Sequence, residues 1–353
     1  MKTINVLMVG VGPKRVGGMW SVAEQYISSH EYNSRVNLSY IPTSTNGSIL
    51  MRIIYMIKGY IRILWILMTK PIDIVHIHMA EKGSTFRKGE VAKWAKKKNK
   101  KVIIHLHAGP FMAWYETLSN RDRERIKKIF CYADSVLVLG QYWKNELARI
   151  VQIDKLKVLY NGVDCPIENP YSSDSRNIVF FGVMRKEKGI YDLIEAIKCI
   201  KNQLPSDIKV ILCGNDMEGD IAETINRVGL SSRIEMTGWV TGSRKKEIYD
   251  NAMIDILPSY YEGLSMTVLE AMARGIPVIT TNISTMPEVI GENGILIKPG
   301  DVFSLAQEIL CLSKDLEKRK KMSQEEFYRA SSLFSNQVFI NKTLNEYKRL
   351  LNN

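Results

Sequence analysis

The stretch IDILPSYYEGLSMTVLEAMARGIPVIT, residues 254–280, carries the pattern that decides the fold. A short apolar run is followed by a turn rich in Tyr and Gly, a segment of good helix formers, and a second short apolar run. Short continuous apolar runs are typical of strands buried on both faces. A strand, a crossover helix and a second strand form a βαβ unit, so this stretch predicts a parallel sheet.

The same alternation of short apolar runs and helix-length segments extends along the whole chain of 353 residues. Residues 161–177 interrupt it and are rich in Pro, Asn, Ser and Asp, as linkers are. We therefore predict two doubly wound, Rossmann-like α/β domains, residues 1–165 and 176–335, followed by a closing amphipathic helix over 336–353. Ligands of such folds bind at the carboxyl ends of the strands, so we expect a crevice between the domains.

Basic charge is concentrated in the first half of the chain. Residues 1–170 hold 26 Lys and Arg against 13 Asp and Glu, a net charge of +13, whereas the whole chain carries +12. Such a half can face phosphates, an anionic membrane or an anionic substrate, or it can be an ordinary solvated surface. We expect no nucleic-acid partner, because no recognisable nucleic-acid-binding module is present.

The cysteines indicate a cellular compartment. There are five, scattered singly, with no Cys-x-x-Cys pair, and the start MKTINVLMVG does not read as a signal peptide. These features favour a reducing cytoplasm.

The turn of the opening stretch combines backbone N–H groups with two acids. Ser265 is the predicted N-cap, so the N–H groups near Gly263, Leu264 and Ser265 are available to an anion. Glu270 lies further along the helix, at an offset that suits ribose hydroxyls if a diphosphate occupies the turn. Glu262, before the helix, is placed to reach the group that the distal phosphate carries.

Glu270 also has a simpler interpretation. Glu270 and Arg274 are four residues apart on the predicted helix, the spacing of a surface ion pair. Spacing alone leaves both interpretations open.

The ordered set of motifs resembles glycosyltransferase family 4, retaining enzymes of the GT-B fold, of the type that builds bacterial surface polysaccharides. The family's Glu-x7-Glu segment, followed by A-M-A-x-G-x-P-V, is matched by residues 262–278. The other motifs follow in the family's order: VGVGPKRVGG, PIDIVHIH, YNGVD, RKEKGIYDLIEAI, GWV, MPEVI and GILIKPGD. The resemblance implies two domains facing each other across a deep cleft, with the closing helix returned to the first domain.

The resemblance also implies roles for individual residues. Lys188 would neutralise the departing diphosphate and Arg185 would share that task, although the family usually places its arginine at the position of Val183. His107 would contact the transferred sugar, and Glu262 would hold its hydroxyls. Alternatively, Lys188 and Arg185 are ordinary exposed charges on a loop, with no role in the reaction.

The glycine loop after the first strand has three interpretations. By resemblance, Gly17 and Gly18 approach the donor, and Lys14 and Arg15 add positive potential. A dinucleotide fingerprint fits less well, because the spacing from Gly12 departs from G-x-G-x-x-G and no acid closes the second strand, so we expect no cofactor. A purely structural tight turn also remains open.

His76, His78, His105 and His107 form two His-x-His units on predicted strands. Because side chains two apart on a strand share a face, a metal cluster is one interpretation. No neighbouring cysteine or carboxylate pattern completes such a site, and the chain has no Asp-x-Asp motif. We therefore predict no metal site and a metal-independent enzyme.

Two further segments bear on the substrates. By resemblance, backbone groups near Trp239 and Val240 bind the base of the donor. Residues 48–70 are apolar over most of a helical circumference, but their charges make a spanning helix unsuitable. They predict either a helix in an anionic membrane interface, on the inner face of the cell membrane, or a helix packed against the sheet.

The expected function is transfer of a sugar from a UDP- or GDP-sugar to a hydroxyl of a saccharide or lipid-linked acceptor, with retention of the anomeric configuration. Two alternatives remain. One is a nucleotide-sugar epimerase or hydrolase of the same fold, disfavoured by the complete Glu-x7-Glu segment. The other is a noncatalytic basic protein that binds membranes or nucleic acid.

Overall fold

The computed structural model describes residues 3–13, 18–107, 109–292 and 294–352. The chain divides into unit 1, residues 1–162 with 336–353, and unit 2, residues 163–335. Each unit is built on a six-stranded sheet whose neighbouring strands are all parallel. The predicted class, two α/β units with parallel sheets, is confirmed.

Unit 1 has the sheet order β2-β1-β3-β4-β5-β6. Its strands are β1 (Ile4–Gly10), β2 (Val36–Pro42), β3 (Ile74–Met79), β4 (Lys101–Leu106), β5 (Ser135–Val138) and β6 (Leu156–Val158). The helices between them are α1 (Gly18–Ser28), α2 (His30–Asn33), α3 (Ile49–Thr69), α4 (Gly83–Lys97), α5 (Phe111–Glu116), α6 (Asn120–Cys131) and α7 (Gln141–Leu147).

Unit 2 has the sheet order β12-β11-β10-β7-β8-β9. Its strands are β7 (Asn177–Phe181), β8 (Lys209–Cys213), β9 (Ile234–Gly238), β10 (Ala252–Leu257), β11 (Val278–Thr281) and β12 (Ile295–Ile297). Its helices are α8 (Ile190–Ile200), α9 (Ile221–Arg227), α10 (Gly242–Asp250), α11 (Met266–Met272), α12 (Met286–Ile290), α13 (Val302–Lys314) and α14 (Leu316–Leu333).

The last helix, α15 (Asn336–Asn352), completes the core of unit 1. The hydroxyl of its Tyr347 lies 3.0 Å from the Tyr32 hydroxyl and 2.7 Å from His76 Nδ1. The Thr343 hydroxyl lies 2.9 Å from that of Tyr26. These bonds pair the buried hydroxyls of α15 with buried groups of α1, α2 and β3.

Residues 163–176, within the stretch that reads as a linker, belong to unit 2. Asn169 Nδ2 donates to Ser323 Oγ at 2.9 Å, and the Tyr171 hydroxyl donates to the Met253 carbonyl at 3.2 Å. The polar composition of this segment therefore serves specific hydrogen bonds to unit 2.

Helix α3 packs on unit 1 through one side only. Gly59, Ile63, Ile66 and Leu67 are buried, and the helix contacts β2 and α4. Packing against the sheet, one of the two interpretations of residues 48–70, therefore accounts for part of this helix. The other side is exposed.

Candidate active site

The sheet of unit 2 reverses its strand order between β7 and β10. From β7 the chain proceeds outward to β8 and β9, whereas from β10 it proceeds the other way to β11 and β12. In open α/β sheets this reversal separates the loops that follow the two central strands and leaves a crevice at their carboxyl ends. The loops after β7 and β10 contain Lys188 and Glu262.

Lys188 and Glu262 are in direct contact. Lys188 Nζ lies 2.5 Å from Glu262 Oε1, and Ser259 Oγ donates to the same oxygen at 3.0 Å. The Glu262 side chain is only 9% exposed and that of Lys188 is 27% exposed. A buried carboxylate is costly unless it is paired and hydrogen-bonded, and Lys188 and Ser259 supply both interactions to Glu262 where the two loops meet.

The two loops are joined by their backbones. Tyr260 N donates to the Glu187 carbonyl at 2.9 Å, and Lys188 ends a 3₁₀ turn that leads into Gly189. Gly189 has φ +70°, and a Cβ there would lie 2.1 Å from the Pro258 carbonyl oxygen. Only glycine meets both requirements, so the close approach of the loops is encoded next to Lys188 itself.

Hydroxyl groups on β11 and the loop after it hold the turn between β10 and α11. Four of them donate to carbonyls at the end of β10 and in that turn, at 2.5–2.8 Å: Thr280 to Leu257, Thr281 to Ser259, Ser284 to Glu262 and Thr285 to Gly263. With its carbonyls fixed from one side, the turn presents a rigid backbone to a ligand, as preorganised sites require.

Ser265 is the N-cap of α11, as the sequence indicates, and its Oγ accepts from Val268 N at 3.4 Å. Leu264 and Ser265 are buried and Gly263 is half-buried. Over the residues that the structure describes, the N–H groups of Leu264, Ser265 and Met266 donate to no acceptor. Three donors at one turn suit an anion.

Glu270 is held by α10, the neighbouring helix. Its Oε2 lies 2.5 Å from Lys245 Nζ and 3.2 Å from the Tyr249 hydroxyl. Arg274 contacts Asp250 at 3.6 Å and lies over the Tyr249 ring. The alternative pairing of Glu270 with Arg274 on one helix is therefore wrong.

The remaining predicted cation, Arg185, is exposed and precedes the 3₁₀ turn. Val183, at the position where the family usually has arginine, is half-buried. Here the backbones of two loops approach closely, because a Cβ on Gly214 would lie 1.7 Å from the Gly182 carbonyl. Lys188 is thus the cation that contacts Glu262, and Arg185 is not in that contact.

Trp239 and Val240 follow β9 directly, with Trp239 44% exposed and Val240 half-buried. In unit 1, Gly18 is the exposed first residue of α1. Gly17, Lys14 and Arg15 lie outside the described residues.

His107 follows β4 and belongs to a row of four histidines. His107 Nε2 lies 2.8 Å from His78 Nδ1, and burial, with the nearby Lys88 and His76, lowers the pKa of His107 to about 3. The imidazole is therefore neutral at physiological pH. His105 lies on β4 itself, with its ring centroid 4.1 Å from that of His107.

His76, His78 and His105 are fully buried, and each offers a ring nitrogen within 4.8 Å of the others. The rings of His76 and His78 stack at 7° with centroids 4.8 Å apart. The lone pairs of an imidazole lie in its ring plane, so these two stacked rings do not converge on one ion. Among the residues that the structure describes, these three form the one group whose ligand atoms lie close enough together for a metal ion, and the absence of a metal site stays a prediction.

The histidine row makes stability depend on pH. Burial lowers the pKa of His76 to about 3 from about 6.5, so the unfolded chain binds a proton at His76 more readily than the folded protein does. The stabilisation that neutral, buried His76 gives to the folded state is complete above about pH 6.5 and is lost as pH falls towards 3. We expect the free energy of unfolding to fall by about 2 kcal/mol from pH 7 to pH 5 through His76 alone.

Urea unfolding of the wild type and of His76→Gln at both pH values measures this contribution. The variant should lose less stability on acidification, whereas His30→Gln, at an exposed histidine, should match the wild type. An equal loss in His76→Gln would show that His76 does not stay neutral in the folded state.

Sequence reasoning missed several residues of the site. Lys245 lies in the run SRKKEIYD, which reads as a solvated charged helix. Tyr249 and Ser284 have no motif of their own, and their bonds to Glu270 and to the Glu262 carbonyl depend on tertiary structure, whereas Ser259 bonds to Glu262 within one turn. Only the spacing of Lys245 and Tyr249, four apart on one helix, offered a signal.

Two family models match the two halves of the chain. The model described as Glycosyltransferase Family 4 matches residues 24–166, and the one described as Glycosyl transferases group 1 matches residues 175–315. Together they cover most of both units and meet at the segment between the two sheets.

Individual proteins are similar to this chain over part or all of its length. An uncharacterized glycosyltransferase of Methanocaldococcus jannaschii is 28% identical over 196 residues, 48% of each chain. The O-antigen chain mannosyltransferase B of Escherichia coli is 29% identical over 174 residues, 49% of this chain and 45% of its own. This chain thus spans about half the length of these two relatives. Anabaena HepE, solved in complex with UDP, has a TM-score of 0.76 at 18% identity, over 97% of this chain and 99% of its own.

Proposed function

We propose that this chain transfers a sugar from a UDP- or GDP-sugar to a hydroxyl of a saccharide or lipid-linked acceptor, with retention of configuration. The premise is that the chain belongs to the family 4 glycosyltransferases of the GT-B fold. The observation that carries the proposal is the Lys188–Glu262 contact of 2.5 Å at the strand-order reversal of unit 2. The Lys188 cation suits the anionic diphosphate of a nucleotide sugar, and the Glu262 carboxylate suits the hydroxyl donors of its sugar.

Each residue has a proposed part in the reaction. Negative charge accumulates on the departing diphosphate, and Lys188 Nζ with the N–H groups of Leu264, Ser265 and Met266 stabilises it. Glu262 accepts hydrogen bonds from the sugar, whose transition state has oxocarbenium character. Glu270 accepts from the ribose hydroxyls.

Four further assignments rest on the family resemblance. Arg185 adds positive potential at the diphosphate, and backbone groups near Trp239 and Val240 bind the base. Gly18 approaches the donor, and His107 contacts the transferred sugar. In the same family pattern the leaving phosphate helps to deprotonate the acceptor, which gives retention on one face of the sugar. Lys188 supplies the charge neutralisation, so we propose a metal-independent reaction.

The names of similar proteins support the substrate classes. One relative is an O-antigen chain mannosyltransferase, and another, from Escherichia coli, is a putative colanic acid biosynthesis glycosyltransferase. HepE has been solved with UDP and with UDP-glucose. We therefore propose a nucleotide-sugar donor and a role in synthesis of a surface polysaccharide, at the inner face of the membrane.

A donor panel tests this function. The protein is incubated with individual UDP- and GDP-sugars, and released nucleoside diphosphate and any new sugar are measured. Slow release from one donor, as expected of a transferase that lacks its acceptor, supports the proposal. Conversion of the sugar into an epimer would favour the epimerase, and no turnover or binding of any donor would contradict both enzymes.

A further inference from the structure

Helix α3 exposes an apolar surface along its whole length. Ten of its large apolar side chains are at least 36% exposed: Ile49, Leu50, Met51, Ile53, Ile54, Ile57, Ile61, Leu64, Trp65 and Met68. Scattered exposed apolar residues are normal, but a contiguous set on one helix marks an interaction surface.

The exposed residues follow helical spacing. Residues 50, 54, 57, 61, 64, 65 and 68 lie within an arc of about 100° at 3.6 residues per turn, on the side opposite the buried Gly59, Ile63 and Ile66. The helix therefore has two apolar faces, and packing on the sheet uses only one of them. Over the part of the chain that the structure describes, no helix is apolar enough over sufficient length to cross a membrane.

The charges that α3 and its flanking segments carry are all positive. Residues 32–72 contain no Asp or Glu, but they contain Arg35, Arg52, Lys58, Arg62 and Lys70. An apolar stripe with cations beside it is the pattern of a helix that lies in the interface of an anionic bilayer. A protein partner would not require charge of one sign only.

A pocket of about 300 Å³ lies beside the first turns of α3. Its lining residues include the basic Arg52 and Arg87, the polar Thr43 and Ser44, and the apolar Ile49 and Ile53. None of the ion pairs found among the described residues involves either arginine. Two guanidinium groups beside apolar walls suit a phosphate ester that carries acyl chains.

We propose that α3 docks unit 1 on an anionic phospholipid bilayer, with its exposed apolar face in the interface and a lipid phosphate in the pocket between Arg52 and Arg87. The inference deepens the proposed function, because a lipid-linked acceptor is presented at such a surface. It concerns binding to lipid and is measured without any sugar donor.

Sedimentation with vesicles tests the docking. The wild type should bind vesicles rich in phosphatidylglycerol and bind pure phosphatidylcholine vesicles more weakly. We expect the double variant Ile57→Ser/Ile61→Ser to lower the partition coefficient about tenfold or more. Arg52→Ala/Arg87→Ala should lower it by about tenfold on anionic vesicles and have little effect on neutral ones.

Matched controls lie in unit 2. Phe303→Ser/Tyr328→Ser removes two aromatic side chains that are each 74% exposed, and Arg244→Ala/Lys246→Ala removes two exposed cations. Both controls should bind like the wild type. Equal binding of the α3 variants and the wild type, or no binding of the wild type, would overturn the proposal.

Trp65 reports the depth of the helix. It is 53% exposed, so vesicles with brominated acyl chains should quench part of the tryptophan fluorescence, and Trp65→Phe should remove that quenching while the protein stays bound. Quenching that persists in Trp65→Phe would place a different surface on the bilayer. A different outcome would be a wild type that self-associates but binds no vesicles, with self-association lost in Ile57→Ser/Ile61→Ser. It would show that a second copy of this chain covers the exposed face of α3.

Release of nucleoside diphosphate from a soluble donor separates this inference from the proposed function. Without vesicles, the α3 variants should release nucleoside diphosphate at the wild-type rate, because these side chains belong to unit 1 and the Lys188–Glu262 contact belongs to unit 2. Normal release with no lipid binding would refute the docking alone.

Discussion

Replacing Lys188 with alanine is expected to lower kcat for donor turnover by about 100- to 1,000-fold, with a smaller effect on KM. The reason is that negative charge grows on the diphosphate as the sugar departs, and Lys188 is the cation in contact with Glu262. Steady-state release of nucleoside diphosphate, with the donor that the panel selects, measures this effect.

Lys186→Ala is the matched control, because Lys186 lies on the same 3₁₀ turn with an exposed side chain. It should keep a kcat close to that of the wild type. Since Lys188→Ala leaves the buried Glu262 carboxylate without its cation, thermal unfolding of both variants must accompany the kinetics. A folded Lys188→Ala variant with normal kcat would remove Lys188 from the reaction.

Replacing Glu270 with alanine is expected to weaken donor and nucleoside diphosphate binding by about 10- to 100-fold, because hydrogen bonds to a charged acceptor are worth about 1.5–3 kcal/mol. Turnover at saturating donor should change far less, since the ribose is distant from the reacting bond. Isothermal titration with the nucleoside diphosphate measures the affinity directly.

Glu247→Ala serves as the control for Glu270, because Glu247 is an acid in an exposed ion pair with Arg244 on α10. The Glu247→Ala variant should bind the nucleoside diphosphate with the affinity of the wild type. The wild-type pair of Glu270 with Lys245 adds a second comparison, since Lys245→Ala removes the partner and keeps the carboxylate. If Glu270→Ala binds as tightly as the wild type, the ribose is held elsewhere.

The fold class could be predicted because its signal is local. Runs such as KVIIHL and IDIL are continuous and apolar, and they become strands β4 and β10 buried on both faces. The segment 163–176 shows the limit of composition, because its Pro, Asn and Ser content indicated a linker. Asn169 and Tyr171 instead bond to residues far along the chain, which no local pattern reveals.

The candidate site could be predicted in part. The spacing of Glu262 and Glu270 and the N-cap role of Ser265 depend on neighbouring residues, so the sequence was informative there. The partners of both acids, Lys188 and Lys245, come from other loops and helices, and Glu270 reaches Lys245 instead of the helical neighbour Arg274. Pairing between elements is a tertiary property that spacing along one helix cannot give.

The orientation of α3 is a similar case. Its apolar spacing predicts a helix and allows either face to be buried, because the helix is apolar around most of its circumference. Only the structure shows that Ile63 and Ile66 are buried while Ile57 and Ile61 are exposed.

The most direct test of the central assignment is a crystal structure of the chain with the nucleoside diphosphate that the donor panel selects. Phosphate oxygens should lie within hydrogen-bonding distance, about 3 Å, of Lys188 Nζ and of the N–H groups of residues 264–266, and the ribose hydroxyls should bind Glu270. Phosphates bound away from the turn between β10 and α11, with Lys188 still paired only with Glu262, would contradict it.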